Sequence, residues 1–282
     1  MLKQRIITAV VLLAILLPAL FAQSPWPFAV LTLVCIGAAG WEWARLNGLD
    51  GAVAYAVGAV VAVLCALALA VGWLDAPPAW AWRIGALAWI VGGALALRGG
   101  PVGWPKLPQG LRLVLGVLLL VLAWLALARA KVFGINFLLS VFCLVWAADI
   151  AAYFGGRAFG KRKLAPSISP GKSWAGVYAG MAGVMLLALG WLAAERSWSL
   201  DSGSLYRMLM LRFGAAGMVA ALIVLAAMSV VGDLFESLVK RAAGRKDSSA
   251  LLPGHGGVLD RIDALLPVFP IALALVTLDF TL

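Results

Sequence analysis

The sequence predicts an all-α polytopic integral membrane bundle of about nine transmembrane helices. Three observations carry that reading. Hydrophobic residues make up 64% of the chain and charged residues 12%, outside the range of soluble domains. Apolar runs long enough to cross a hydrocarbon core of about 30 Å recur along all 282 residues. None shows the short alternating pattern of a membrane β-barrel, so the backbone groups placed in lipid must be paired within helices.

The expected spans are 6–22, 28–44, 52–74, 79–97, 111–128, 132–153, 174–194, 213–236 and 264–281. The first follows Lys3 and Arg5 like a signal peptide, but no small-x-small cleavage site succeeds it and Pro18 lies inside it, so it is expected to be retained. The second is the least apolar because Glu42 falls near its end. Glycine patches at 37–40, 92–93 and 180–183 are expected to let helices approach closely. Cys35, Cys65 and Cys143 lie within spans and read as small buried apolar residues. Trp26, Trp41, Trp43, Trp73, Trp80, Trp82 and Trp191 stand near span ends, as an interfacial aromatic belt would.

Nine spans put the termini on opposite faces, and the basic residues choose the orientation. With the N-terminus in the cytoplasm, Arg83, Arg129, Lys131, Arg196, Arg207 and Arg212 fall outside, and the remaining 16 of 22 Lys and Arg residues fall inside. The net charge of +10 is mostly juxtamembrane, which points to anionic lipid or an anionic substrate rather than nucleic acid. No repeat of fixed period is visible, which weighs against a transporter built from inverted repeats. By composition the chain divides into N-terminal spans (1–131), mainly scaffold and lipid-facing, and a C-terminal catalytic region (132–282) holding most of the reactive polar groups.

Two stretches carry those groups. In VWAADIAAYFGGRAFGKRKLAPSISPGKSWAG, residues 145–176, Asp149 sits in or at the edge of the sixth span, where an ionisable group needs a partner or a water-filled cavity. Tyr153 shares its helical face. The loop beyond sets Arg157, Lys161, Arg162, Lys163 and Lys172 among Gly155, Gly156, Gly160 and Gly171, with the hydroxyls of Ser167, Ser169 and Ser173. Glycines admit an anion to the backbone, serines donate to it and lysines neutralise it, a combination suited to polyphosphate. GKS at 171–173 is not a P-loop, because position 166, where that motif needs glycine, is proline, and no β-strand is expected before it.

The second stretch begins at SVVGDLFESLVKR. If the eighth helix continues beyond the membrane, Asp233, Glu236 and Lys240 share one face. Arg241, Arg245, Lys246 and Asp247 follow, then the turn PGHGG with the only histidine, His255, then Asp260, Arg261 and Asp263. Two pairs of carboxylates thus flank a basic, glycine-rich turn, which suits Mg²⁺ held by one or two carboxylates and substrate phosphates during transfer at phosphorus. Interfacial salt bridges are the alternative role for the same carboxylates. His255 has no second histidine or cysteine at zinc-ligand spacing; it donates to a phosphate or shapes the turn. No GxSxG elbow marks a serine hydrolase.

The run S-x-x-K-R-x4-K-D-x4-L-P-G-H-G-G-x-x-D-R-x-D, Ser237 to Asp263, resembles the signature of the phosphatidate cytidylyltransferases. The upstream run W-x-x-D-x-x-A-Y-x-x-G-x-x-F-G-K-x-x-L-x-P-x-I-S-P-G-K-S-W, Trp146 to Trp174, is similar to the family's other shared region. The resemblance implies a Mg²⁺-dependent reaction of CTP with phosphatidate to give CDP-diacylglycerol and pyrophosphate, and implies that Asp233 and Asp260 are metal-binding carboxylates. Many members carry Glu or Gln where this chain has Ala175, so a polar contact of the substrate pocket is missing there or supplied elsewhere.

The expected catalytic carboxylates are therefore Asp233, Asp260 and Asp149. The expected substrate-binding residues are Arg157, Ser169, Lys172, Ser173, Glu236, Lys240, Arg241, Lys246, Asp247, His255, Gly256, Gly257, Arg261 and Asp263. Expected partners are CTP, phosphatidate and membrane lipid, with a second copy of the chain as a further candidate, in a bacterial inner membrane with the site facing the cytoplasm. The rival readings are a CTP-dependent kinase of a polyprenol-type lipid and a non-catalytic lipid transporter.

Overall fold

The computed structural model describes residues 2–277. Lys3 and Arg5, counted above on the inner side, have no described side chains, and residues 278–281 of the expected ninth span lie outside the described residues. Each expected apolar run is helical over most of its described length. The order is α1 Leu2–Phe21, α2 Trp26–Leu46, α3 Gly51–Ala70, α4 Ala79–Leu87, α5 Gly93–Gly103, α6 Gln109–Phe133, α7 Ile135–Phe159, α8 Trp174–Ser197, α9 Leu205–Ala242, α10 Leu259–Ile262 and α11 Leu265–Thr277. A π-helical turn, Ala88–Gly92, joins α4 to α5.

Counting Ala79–Lys106 as one span, seven of the described helices are long and apolar enough to cross a membrane. The difference from nine lies at the two ends of the chain. The apolar part of α1 is the shorter stretch Ile6–Phe21. The described part of α11 has 13 residues, about 20 Å at 1.5 Å per residue. Its residues Leu266 to Ala274 are all buried. A helix apolar on every side and buried on every side is a core element, and α11 packs against α4, α6, α7 and α9.

Small residues govern the closest helix packing elsewhere in the bundle. Along α7 and α8, Gly155 faces Ala179, Gly176 faces the Ala152 carbonyl, Gly180 faces the Ala148 carbonyl and Gly183 faces Ala151. With no hydrophobic drive between helices in lipid, such close backbone approach supplies the attraction through van der Waals contact. Gly37 and Gly40 of α2 meet Gly58 of α3 in the same way. In the pair at 92–93, Gly93 packs on Val231 of α9 while Gly92 has nothing within 4 Å, so only one of the two serves close approach.

Two readings at the span ends are corrected. Trp43 and Trp82 are buried, at 5% and 2% exposure, whereas Trp26 and Trp80 are exposed as a belt requires. Trp43 belongs to an aromatic cluster with Phe235, Trp89 and Trp104 that fastens α2 to α9. Of the cysteines, Cys65 is buried, Cys143 half-buried and Cys35 exposed.

Helix α9 turns at Gly214 (φ 69°), one residue from the expected start of the eighth span, and then runs unbroken to Ala242. Its last turns therefore carry Asp233, Glu236 and Lys240 as one continuous helix. Between α7 and α8 the chain forms an antiparallel hairpin, β1 Lys163–Ala165 and β2 Ser169–Ser173, where only a loop was expected. The hydroxyl of Thr8 in α1 donates to the Pro253 carbonyl at 3.1 Å, so the start of α1 and the PGHGG turn lie at the same end of the bundle.

Gly155→Ala is expected to lower thermal stability in detergent by about 1–3 kcal/mol through overpacking against Ala179. Ala179→Gly in the same chain should restore much of the loss.

Candidate active site

Four elements converge at that end. Helix α7 brings Asp149, β2 brings Lys172, α9 brings Asp233, Glu236 and Lys240, and the segment 248–263 brings Asp260 and Asp263. Lys172 reaches across from the hairpin to Asp233, its Nζ 2.5 Å from Oδ2. Ser237, one turn further along α9, donates to the other oxygen of Asp233 at 3.3 Å. Asp149, exposed at the bundle surface, lies within electrostatic reach of both Lys172 and Asp233.

Lys240 is the second junction. Its Nζ lies 2.5 Å from Glu236 Oε2 and 2.6 Å from Asp260 Oδ1. All three side chains are nearly excluded from solvent, at 12%, 5% and 6% exposure, so the two carboxylates depend on one ammonium for compensation. The other oxygen of Asp260 accepts from the Ser248 amide at 2.9 Å, the Ser248 hydroxyl at 2.8 Å and the Gly257 amide at 2.8 Å. Burial pushes the Asp260 carboxyl up, but Lys240 and these amide donors outweigh it and hold the group well below the usual carboxylate range. Asp263 is pushed the other way, up to about 7, by burial and by the nearby Asp233 charge, against the opposing pull of the Ala264 amide, Lys172 and Lys240.

The remaining candidates are placed as follows. Arg157, Lys246 and Asp247 are exposed, and Ser169 is half-buried at the start of β2, in register with Ala165. The exposed Arg241 donates to the Arg245 carbonyl at 3.2 Å, and Arg261 donates to the His255 carbonyl at 2.9 Å. Gly254 and Gly256 have positive φ, 77° and 82°, which the PGHGG turn requires. The His255 backbone shapes that turn by donating to the Leu252 carbonyl at 2.8 Å. Two expectations change. Ser173 is buried, and its hydroxyl oxygen caps α8 by accepting from the Gly176 amide at 3.2 Å, which gives it a structural role and leaves its own hydrogen to donate. The Gly257 amide is spent on Asp260 and is not a free anion donor.

Spacing missed one residue. Glu42 of α2 is fully buried, and its carboxylate is surrounded by donors from the 248–259 segment. The available signal was a lone carboxylate in an otherwise apolar span, which read only as a weak point in the hydropathy of that span.

The class so defined is a helical membrane bundle that gathers Asp149, Lys172, Asp233, Lys240, Asp260 and Asp263 into one polar site at one end. The chain belongs to the cytidylyltransferase family, whose profile matches residues 3–279. It is 44% identical to a phosphatidate cytidylyltransferase of Pseudomonas aeruginosa, over 98% of this chain and 97% of that one. It is 37% identical to one of Haemophilus influenzae over 96% of each chain. A phosphatidate cytidylyltransferase of Thermotoga maritima is 39% identical over 140 residues, 50% of this chain and 48% of that one.

Lys240→Met is expected to cost about 3–5 kcal/mol of stability, because Glu236 and Asp260 would be left buried without their cation. Adding Glu236→Gln should recover part of it, measured as the unfolding midpoint in detergent.

Proposed function

We propose that this protein transfers the cytidylyl group of CTP to phosphatidate, giving CDP-diacylglycerol and pyrophosphate, at the cytoplasmic face of a bacterial inner membrane. The observation that carries the proposal is that Asp233 and Asp260, the two carboxylates singled out by the family-like motif, stand in one network of opposite charges with Lys172 and Lys240. Full-length similarity to relatives named for this reaction supports it.

In the proposed reaction a phosphate oxygen of phosphatidate attacks the α-phosphorus of CTP. A new phosphorus–oxygen bond forms, the bond to the oxygen bridging the α- and β-phosphorus breaks, and pyrophosphate leaves with that electron pair. In this reading Lys172 would neutralise phosphate charge, with further positive charge from the exposed Arg157 and Lys246, while the nearly buried Lys240 balances Glu236 and Asp260.

The donor set fits a hard divalent cation. Asp233 and Asp260 offer only oxygen, the donor type such a cation takes, and a bound cation would replace the ammonium nitrogens of Lys172 and Lys240 that now face them. Among the described residues no group of three or more His, Cys, Asp or Glu converges as a closed metal cage. Mg²⁺ is commonly held by one or two carboxylates together with substrate phosphates. Bound by Asp233 and Asp260, Mg²⁺ would supply neutralisation of the phosphate oxygens.

Purified protein given phosphatidate, Mg²⁺ and CTP labelled at the α-phosphate is expected to place label in the organic phase. Label passing to lipid only from the γ-phosphate would indicate a lipid kinase, and no transfer from either position would leave a non-catalytic role. Asp260→Asn should reduce turnover to background while membrane insertion is retained. Lys246→Ala should mainly raise KM for CTP, as loss of a ground-state phosphate contact does.

A further inference from the structure

Glu42 lies in the half of the chain read as scaffold, yet every hydrogen bond to its carboxylate comes from the segment that bears Asp260. Oε1 accepts from the Ser249 hydroxyl at 2.6 Å and the Val258 amide at 2.9 Å. Oε2 accepts from the Leu259 amide at 2.7 Å and lies 3.2 Å from the Ser248 hydroxyl. Val258 and Leu259 are the two residues directly before Asp260, and Ser248 also bonds Asp260. The single hydroxyl hydrogen of Ser248 serves one carboxylate at a time, and the shorter 2.8 Å contact assigns it to Asp260.

The geometry points to Glu42 as a positioning residue that sets the place and direction of the Asp260 carboxylate from across the bundle. A fully buried carboxylate with no lysine or arginine ion-paired to it among the described residues is an expensive group to keep, and its donors compensate it only while the 248–259 segment is folded against α2. The same packing explains Gly257, where any β-carbon would strike the Ser248 hydroxyl and the Glu42 carboxylate. The base on which Glu42 stands is held in turn. Next to it, Trp43 stacks on Phe235 of α9 with ring centroids 6.0 Å apart, and donates from its indole nitrogen to the Arg112 carbonyl at 3.1 Å. Glu42 thus rests on the helix pair that also carries Asp233 and Lys240, so one rigid frame sets both sides of the site.

Glutamine is the discriminating substitution. It keeps the volume, but its NH₂ group replaces one acceptor oxygen and must then face a backbone N–H. Aspartate keeps both acceptors on a shorter side chain and should restore part of the function. The expectation for turnover rests on the cytidylyl-transfer reading, whereas backbone exchange does not.

The test uses the full chain in detergent or nanodiscs, comparing wild type with Glu42→Gln, Glu42→Asp and Gly257→Ala. Amide hydrogen exchange is followed over 248–260, with kcat and KM for CTP measured alongside. Glu42→Gln is expected to speed exchange in 248–260 selectively and to cut kcat by about 10–100-fold with KM for CTP changed less than about threefold, as loss of a residue orienting a ligand does. Glu42→Asp should give a smaller loss, and Gly257→Ala should reproduce the Glu42→Gln pattern. Unchanged exchange in 248–260, or loss of kcat only in step with global unfolding, would overturn the assignment. If Glu42→Gln does not accumulate as folded protein, Gly257→Ala carries the same comparison, and wild-type exchange and turnover there would overturn it equally. A wild-type protein inactive on CTP and phosphatidate would refute the function while the exchange result still decides the role of Glu42.

Discussion

Charge buried at one end of an apolar bundle must be compensated within the protein, and Lys240 is where that requirement is met. One ammonium sits between Glu236, four residues away on its own helix, and Asp260, on the segment that returns from the PGHGG turn. Coulombic attraction inside a poorly solvated site is strong, and so is the penalty for leaving either partner alone. The position of α9 relative to the 248–263 segment therefore follows from a local charge balance as much as from packing. Lys172 makes the equivalent link between the hairpin and Asp233.

The lipid-embedded part of the fold serves to keep those charges in register. Helix α11, buried along nearly its whole described length, gives α4, α6, α7 and α9 a common axis. The glycine and alanine faces of α7 and α8 bring those helices close, and with them Asp149 and the hairpin carrying Lys172. On the opposite side, the aromatic cluster of Trp43, Trp89, Trp104 and Phe235 locks α2 to α9. Rigid supports of this kind matter for a site that acts on phosphates, because positioning and electrostatics supply most of the catalysis there and covalent chemistry little.

Much of the candidate site was legible because helical periodicity and polar residues in an apolar background are local signals. Asp233, Glu236 and Lys240 could be put on one face from their spacing, and their helix does continue past the expected end of its span, residue 236, to Ala242. Other roles were not legible. Ser173 and Gly257 have the residue types of an anion cradle, but what each bonds inside the protein was not legible: the Ser173 oxygen caps α8 and the Gly257 amide donates to Asp260. The hairpin at 163–173 was hidden because two short strands amid glycine and proline carry no alternating pattern. Trp43 and Trp82 stand near span ends in sequence yet face the interior, since distance along a helix does not say which side of it is turned to lipid.

The sequence by itself determined the all-helical membrane class, the positions of the apolar runs and the two stretches that hold the reactive groups. Those follow from composition and from spacing along a single helix. Only the tertiary structure decided that the described part of the last apolar run is a buried core element, that Lys172 pairs with Asp233, and that Glu42 belongs with Asp260, 218 residues away. The physical reason is that a buried carboxylate is defined by its donors. The donors of Glu42 come from residues 249–259, far along the chain and brought to α2 only by the tertiary fold.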